Sequence, residues 1–217
     1  MSIIKKLNTP FFLTGGTALS RHYFNHRYSD DLDLFVISDP EFQDWIERVL
    51  EGLYEAEKWN EFVMERQTIR RLKDFVQIFV HLPEEQTNSL KIDFVNDVAA
   101  HYGSFEEHER LGRIDSWRNI LSNNISALFR FEPKDIVDIW MLSKKRAFQW
   151  QTILEEAKSK EAGVKPEIIY NILRSFPGEK LDSIRWIRKP EYVRVKSDIE
   201  TIADDLFYGR ENSLVEK

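Results

Sequence analysis

The chain has 217 residues, a net charge of −6 and no cysteine, and 42% of its residues are hydrophobic. This length exceeds the commonest single-domain size of roughly 100 to 150 residues, so we expect one main domain and a smaller helical one. Without cysteine the protein cannot form a disulfide, a thiolate zinc site or a cysteine nucleophile. Since no apolar run approaches about 18 residues, we predict a cytoplasmic protein without a membrane span.

Charge is distributed unevenly along the chain. Residues 1–107 contain 11 basic and 19 acidic side chains, whereas residues 108–217 contain 20 basic and 18 acidic ones. An acidic half can bind divalent cations, and a more basic half can bind a polyanion despite the acidic total. Charges scattered over solvated surfaces would give the same difference, so the asymmetry alone identifies no ligand.

The first part of the chain has the pattern of a strand, a glycine turn, a helix, a second strand and a second helix. A short apolar run at residues 11–13 ends at Gly15 and Gly16, and apolar residues at helical spacing follow. Residues 31–37 begin with alternating polar and apolar side chains and become wholly apolar, as in a strand that enters a core. Apolar positions within residues 40–57 again have helical spacing.

The middle of the chain continues with strands and the second half is helical. We predict a hairpin that reverses at residues 73–74 and a further strand at residues 90–95. From residue 116 onward apolar residues recur at helical spacing, and prolines mark helix starts. The sequence therefore predicts an α+β fold: a mixed sheet with flanking helices in residues 1–107, then an α-helical domain in residues 108–217 that closes the cleft.

Three aspartates lie on predicted strands. Asp31 and Asp33 are two residues apart, so a strand places their side chains on one face while Leu32 points the other way. Two acids on one face repel each other unless a cation neutralises them. Mg²⁺ prefers oxygen ligands, and two such ions about 3.5–4 Å apart stabilise the attacking and leaving oxygens of phosphoryl transfer. Asp93 supplies a third ligand, which can also take a proton from an attacking hydroxyl.

Gly15, Gly16 and Thr17 open a predicted helix directly after a strand. Backbone amides at such a position favour a phosphate, and glycine lets the backbone approach it closely. The Thr17 hydroxyl can then bind a β- or γ-phosphate oxygen. A glycine pair alone is more often only a turn, and an Asp-x-Asp pair alone more often caps a solvated strand end. Their combination with a later strand aspartate is hard to produce by chance.

Two segments of the sequence carry a family resemblance. The first half contains LTGGTALSRHYF followed by HRYSDDLDLF, and the second half contains ILSNNISALFRFEPKDIVDIW. Over roughly residues 10–145 the chain resembles the nucleotidyltransferase toxins of abortive-infection systems, the AbiEii/AbiGii type, within the polymerase-β-like nucleotidyltransferases. The resemblance implies a polymerase-β-like catalytic domain that uses Mg²⁺ to transfer a nucleoside monophosphate from an NTP to an acceptor hydroxyl.

The resemblance also implies the site and the partners. Asp31, Asp33 and Asp93 would bind two Mg²⁺ ions, with Asp138 as an additional acid and Lys134 meeting either a phosphate or a neighbouring carboxylate. The implied nucleotide-binding residues are Gly15, Gly16, Thr17, Arg27, Lys134 and Asp138. A toxin of this type would have a cognate antitoxin as a partner, and its acceptor would be tRNA or a protein hydroxyl.

One position departs from the family pattern. Relatives place a lysine after an asparagine in the second-half motif, whereas Asn123 is here followed by Asn124. An amide cannot replace the positive charge that a lysine offers to a triphosphate. We therefore expect lowered activity unless Arg27, Arg130 or Lys134 compensates.

Two other functions stay open at this point. A small-molecule nucleotidyltransferase of the antibiotic-modifying sort would share the three acids but would need a compact acceptor pocket. A catalytically weakened relative that binds a nucleotide or a partner is compatible with the missing lysine. The basic, aromatic-rich run at residues 185–196 suits a nucleic-acid backbone, and an ordinary solvated surface fits it equally well.

Overall fold

The computed structural model describes residues 1–85 and 87–216. Over these residues the chain divides into two compact units, here called the sheet unit and the helical unit. The sheet unit consists of Met1–Ala18, Ser29–Ala99 and Ser104–Asp115. The helical unit consists of Leu19–Tyr28, Ala100–Gly103 and Ser116–Lys217.

This division differs from a single boundary after residue 107. Residues 112–114 belong to the sheet unit because they form a strand that pairs with an N-terminal strand through Leu13 and Ile114. Residues 19–28 belong to the helical unit although they lie in the first half of the sequence. The chain therefore passes between the units more than once, which a composition shift along the sequence does not reveal.

The sheet unit is built on one mixed sheet, which has eight strands in the described residues. The strands are β1 Phe12–Thr14, β2 Asp31–Ile37, β3 Val63–Met64, β4 Arg70–Leu72, β5 Phe75–His81, β6 Leu90–Asp97, β7 Glu106–His108 and β8 Gly112–Ile114. Their order is β3-β5-β6-β2-β1-β8-β7, and β4 pairs with β5. The pairs β2–β6 and β1–β8 are parallel, whereas the other pairs are antiparallel. The predicted mixed sheet is confirmed.

Alternating side chains divide the sheet strands between a buried and a more accessible face. Along β5, buried residues alternate with half-buried ones, and Val76 and Ile78 are fully buried. Helix α3, Phe42–Glu57, buries one apolar stripe that includes Phe42, Ile46 and Val49. The predicted hairpin is confirmed, since Leu72 pairs with Phe75 across the turn between β4 and β5.

The helical unit contains longer helices with apolar faces turned inward. They are α4 Trp117–Ala127, α5 Pro133–Lys145, α6 Trp150–Lys160, α7 Pro166–Arg174 and α8 Tyr192–Phe207; the sheet unit has the short helices α1 Ser2–Lys6 and α2 Gly15–Ala18. Proline occupies the first turn of α5 and α7, where its missing N–H costs no helical hydrogen bond. Ser116 caps α4, because its side chain accepts a hydrogen bond from the Asn119 amide at 3.0 Å.

The segment that follows the glycine turn is a helix of two kinds. Helix α2 ends at Ala18, and Leu19–Phe24 continues with π-helical hydrogen bonding. Leu19 and Ser20 are buried there. In the described part of the chain, no helix is both long enough and apolar enough to cross a membrane.

Candidate active site

The three predicted metal-binding aspartates lie on two neighbouring strands of the sheet unit. Asp31 and Asp33 are on β2, and Asp93 is on β6. These strands are parallel, with Asp33 and Asp93 as direct partners and Asp31 opposite Lys91. Direct partners have their side chains on the same face, as do residues two apart on one strand. The sheet therefore presents all three carboxylates on one face.

Two neighbouring side chains hold the Asp93 carboxylate. Gln77 on β5 donates a hydrogen bond from Nε2 to Asp93 Oδ1 at 2.8 Å, and it is the cross-strand partner of Asp93. Lys91 donates from Nζ to Asp93 Oδ2 at 3.0 Å. The same ammonium lies 3.4 Å from Asp31 Oδ2. Both oxygens of Asp93 are thus fixed, one by a neutral amide and one by a cation shared with Asp31.

The acids raise the pKa of the Lys91 ammonium. Partial burial lowers the pKa of its ammonium, but the hydrogen bond to Asp93 and the charges of Asp93, Asp31 and Asp33 outweigh burial and raise the pKa above its ordinary value. The side chain therefore stays positively charged at neutral pH. Its charge lies where the sequence predicts a divalent cation.

Asp31, Asp33 and Asp93 offer carboxylate oxygens, which are the ligands that Mg²⁺ prefers. The Lys91 ammonium already contacts Asp31 and Asp93. Over residues 1–85 and 87–216, no three His, Asp or Glu side chains are drawn close enough together to hold an ion as they stand. The three aspartates fit a metal site because they are carboxylates and because they lie on one face of the sheet. The predicted metal distances stay a prediction.

The glycine turn brings the backbone against an acid. Gly15 has φ +65°, and a Cβ atom there would lie 2.7 Å from Oδ2 of Asp33. A side chain at this position would therefore both strain the backbone and collide with the carboxylate. Gly15 therefore has to be a glycine so that the Asp33 carboxylate can lie next to it. Gly16 is the next residue of α2. Triphosphate binding by the turn stays a prediction.

The Thr17 hydroxyl forms hydrogen bonds within the sheet unit. The side chain is buried, and its hydroxyl donates to the backbone carbonyl of Asp31 and lies 2.9 Å from Ser29 Oγ. A hydroxyl has a single proton to donate, and in this structure the Asp31 carbonyl receives it. Thr17 thus fixes the start of β2, next to the acids, and its predicted contact with a phosphate would require this bond to be exchanged.

Arg27 and Asp138 form a buried ion pair in the helical unit. Arg27 donates from Nε and Nη2 to the two oxygens of Asp138 at 2.7 and 2.6 Å, and His26 Nε2 lies 2.8 Å from Oδ1. Burial raises the pKa of the Asp138 carboxyl, but the charges and hydrogen bonds of Arg27 and His26 outweigh burial and lower the pKa below its ordinary value. The pair joins residues 111 positions apart in the sequence. Nucleotide binding by either residue stays a prediction.

The basic residues expected to replace the missing family lysine have carboxylate partners. Arg130 donates from Nε and Nη2 to Asp135 at 2.6 Å each. Lys134 is half-buried in the first turn of α5, and its positive charge, like that of Arg130, acts to lower the pKa of Asp135. Burial is the larger influence on Asp135 and leaves its pKa raised. Asn124 itself is buried, and within the described residues its Nδ2 has no hydrogen-bond partner.

Another lysine contacts the helix on which the family lysine is missing. Lys160 at the end of α6 donates from Nζ to Oδ1 of Asn119 and Oδ1 of Asn123, both at 2.6 Å. Both asparagines are on α4, where the second-half motif lies. Lys160 could not be identified from the sequence, because no sequence spacing links α6 to α4. Lys91 could have been identified, because the alternation of β6 places Lys91 and Asp93 on one face.

Comparisons with known proteins agree with this architecture. JHP933 from Helicobacter pylori is 16% identical, with a TM-score of 0.58 over 95% of this chain and 88% of that chain. A putative nucleotidyltransferase from H. pylori is 16% identical, with a TM-score of 0.59 over 95% and 91%. MenT4, a nucleotidyltransferase toxin from Mycobacterium tuberculosis, is 12% identical, with a TM-score of 0.55 over 94% and 79%. These similarities show a shared fold.

Sequence comparison adds the family. No curated protein sequence matches the chain significantly. The model of the nucleotidyl transferase AbiEii toxins, from type IV toxin–antitoxin systems, matches residues 3–213, which is nearly the whole length. The chain therefore belongs to the AbiEii family of nucleotidyltransferase toxins.

Proposed function

We propose that this nucleotidyltransferase depends on Mg²⁺ and transfers a nucleoside monophosphate from an NTP to an acceptor hydroxyl at Asp31, Asp33 and Asp93. The observation that carries the proposal is the parallel register of β2 and β6, which sets Asp33 directly opposite Asp93 with Asp31 on the same face. Carboxylate oxygens that share one face of a sheet are the ligands that Mg²⁺ prefers.

The residues of the chain would divide the work. Asp31 and Asp33 would hold the metal that accompanies the triphosphate, and Asp93 would serve the acceptor side. When bound, Mg²⁺ supplies charge stabilisation for the attacking and leaving oxygens. Gln77 keeps Asp93 oriented through a hydrogen bond to Oδ1, and the Asp93 carboxylate would take up the proton of the attacking hydroxyl. Most of the catalysis would come from positioning and electrostatics.

We propose RNA, with tRNA as the leading candidate, as the acceptor, and a cognate antitoxin as the partner. Membership of a type IV toxin–antitoxin family supports the antitoxin. In support of RNA, residues 185–196 expose basic side chains, namely Arg185, Arg188, Lys189, Arg194 and Lys196. Aromatic rings lie beside two of these side chains. Arg185 Cζ is 5.3 Å from the ring centroid of Tyr28, and Lys189 Nζ is 4.6 Å from the ring centroid of Tyr192. A protein hydroxyl is the alternative acceptor.

The second candidate function is nucleotide or partner binding with weakened catalysis. It is favoured by Asn124, because the amide lacks the charge that relatives place in this segment. Under this alternative the Asp31, Asp33 and Asp93 site would bind an NTP with metal and release it unchanged.

The test uses NTPs labelled at either the α- or the γ-phosphate. The purified chain is incubated with Mg²⁺, total tRNA, cell protein and an aminoglycoside mixture, with Asp33→Asn as the control protein. We expect α-label, and no γ-label, in the tRNA fraction, with loss of labelling in EDTA and in the control. Label in protein or in small molecules would identify another acceptor. Metal-dependent NTP binding without any labelled product would favour the binding-only candidate.

A further inference from the structure

The side chain of Lys91 lies among the acids of the candidate active site. Lys91 is two residues before Asp93 on β6 and directly opposite Asp31 on β2, so its side chain is on the same face as both acids. Its Nζ atom is 3.0 Å from Asp93 Oδ2 and 3.4 Å from Asp31 Oδ2. One ammonium group thus contacts an acid on each of the two strands.

The Lys91 ammonium balances part of the negative charge of the acids. Asp31, Asp33 and Asp93 share one face, and the Asp93 side chain is only 13% exposed, so water screens its charge incompletely. The Lys91 ammonium lies 3.0 Å from Asp93 Oδ2 and 3.4 Å from Asp31 Oδ2. A cation is therefore already present at the place where the acids need one.

A divalent cation that bridges Asp31 and Asp93 would have to displace this ammonium. Asp93 Oδ1 accepts the Gln77 amide and Oδ2 accepts Lys91, so the oxygen that faces Asp31 is engaged with a positive group. Mg²⁺ binds carboxylate oxygens at about 2.0–2.1 Å, which would bring it within a few ångströms of the ammonium. Two like charges at such a distance repel strongly where water is partly excluded.

We propose that Lys91 is a built-in counter-cation of the active site, which holds Asp31 and Asp93 together in the metal-free protein and competes with the divalent ion for them. This inference rests on the proposed metal-binding function of the three acids. Metal entry exchanges one cation for another at a site that is never left without a positive charge. Lys91 is thus a positioning residue, and it sets how tightly the protein binds metal.

The first experiment measures Mn²⁺ binding to the metal-stripped full-length chain by the electron paramagnetic resonance of free Mn²⁺. Lys91→Met keeps the length of the side chain and removes its charge, Lys91→Arg keeps the charge, and Lys73→Met removes a charge from the exposed turn between β4 and β5. Removing a like charge from direct contact should tighten Mn²⁺ binding about tenfold in Lys91→Met, with less than about a twofold change in Lys73→Met. Lys91→Arg should resemble the wild type.

The second measurement is the thermal unfolding midpoint in EDTA and in Mn²⁺. In EDTA we expect Lys91→Met to unfold at a lower temperature than the wild type, because Asp31 and Asp93 then lack their shared cation. Added Mn²⁺ should raise the midpoint by more in Lys91→Met than in the wild type. A lysine that only packs on the surface would show neither the affinity gain nor this larger metal effect.

A third measurement on the wild type keeps the inference testable if Lys91→Met does not fold. Lysine ¹⁵Nζ signals are recorded during a Mg²⁺ titration, with the Lys91 signal assigned by its absence in Lys91→Arg. A shift of this signal, with faster hydrogen exchange as the ammonium leaves the acids, would support the inference. Unchanged or weaker Mn²⁺ binding in Lys91→Met, with binding still lost in Asp33→Asn, would overturn the competition while sparing the proposed metal site. A wild type that binds no Mn²⁺ at these acids would overturn both.

Discussion

Asp33 and Asp93 are direct partners across the parallel strands β2 and β6, yet their carboxylates have different neighbours. Asp33 Oδ2 lies against the backbone of Gly15, whereas Asp93 is held by the side chains of Gln77 and Lys91. One acid is therefore coupled to the glycine turn and the other to side chains of β5 and β6 on the same face of the sheet. Substituting the two acids should have different consequences.

We expect Asp33→Asn and Asp93→Asn to separate binding from turnover. Asp33→Asn should weaken Mg²⁺-dependent NTP binding at least about tenfold, because it removes a charged ligand of the metal that accompanies the triphosphate. Asp93→Asn should leave NTP affinity within about twofold and abolish turnover, as expected of a group used mainly in the transition state. Binding of a fluorescent NTP with and without EDTA, together with labelled-product formation, measures both. Equal losses of affinity in the two variants would contradict this division.

Gly15→Ala should disturb the active site through Asp33. Alanine at φ +65° costs about 1–2 kcal/mol of stability, and its Cβ would in addition push on the Asp33 carboxylate. We expect weakened metal-dependent NTP binding in a folded protein. Gly112→Ala is the matched control, because Gly112 has φ +76° with no atom within 4 Å of an added Cβ. Both variants should lose stability in urea unfolding, and only Gly15→Ala should lose NTP affinity; equal NTP affinity in both would contradict the role of Gly15.

The sequence alone is sufficient to predict the sheet and to predict that Asp31 and Asp33 share one face of it. Alternation along residues 31–37 places Asp31 and Asp33 together whatever the neighbouring strand is, because the strand period is two. Asp93 was identified as a strand residue inside an apolar frame. Its position opposite Asp33 depends on the register of β2 and β6, which no local pattern encodes. The family resemblance supplied the missing long-range information.

Contacts between remote side chains could not be predicted in the same way. Arg27 and Asp138 are on segments of the helical unit that only the tertiary fold brings together, and Lys160 reaches Asn123 from another helix. The role of Gly15 depends on a backbone dihedral and on the position of Asp33, whereas the sequence shows only a glycine pair. Local periodicity fixes which way a side chain points, and packing fixes what it meets.

Asp138→Asn should change the pH dependence of stability. The pKa of Asp138 is lowered in the folded protein, so its contribution to stability is complete above the ordinary value near 3.8 and is lost as pH falls through the folded value. At neutral pH, breaking this buried pair should cost about 3–5 kcal/mol, because the buried Arg27 guanidinium loses the opposite charge of Asp138. Urea unfolding from pH 7 down to about 3 should show a constant difference between the proteins above pH 4 and a shrinking one below. A difference that grows toward low pH would contradict the assigned direction.

Restoring the family lysine should not restore nucleotide affinity, because of where Asn124 lies. Asn124 is 7% exposed on α4, so Asn124→Lys would place an ammonium in a site where, within the described residues, even the amide Nδ2 has no partner. Asn124→Met has a side chain of similar length without the charge and serves as the control. We expect Asn124→Lys to be less stable than Asn124→Met by about 1–3 kcal/mol in urea unfolding, with no gain in NTP affinity. Lys160 already brings an ammonium to Asn119 and Asn123 on the same helix, which leaves little need for a second one. Tighter NTP binding by Asn124→Lys and not by Asn124→Met would show instead that the buried site opens to the triphosphate and that the missing charge is a real loss.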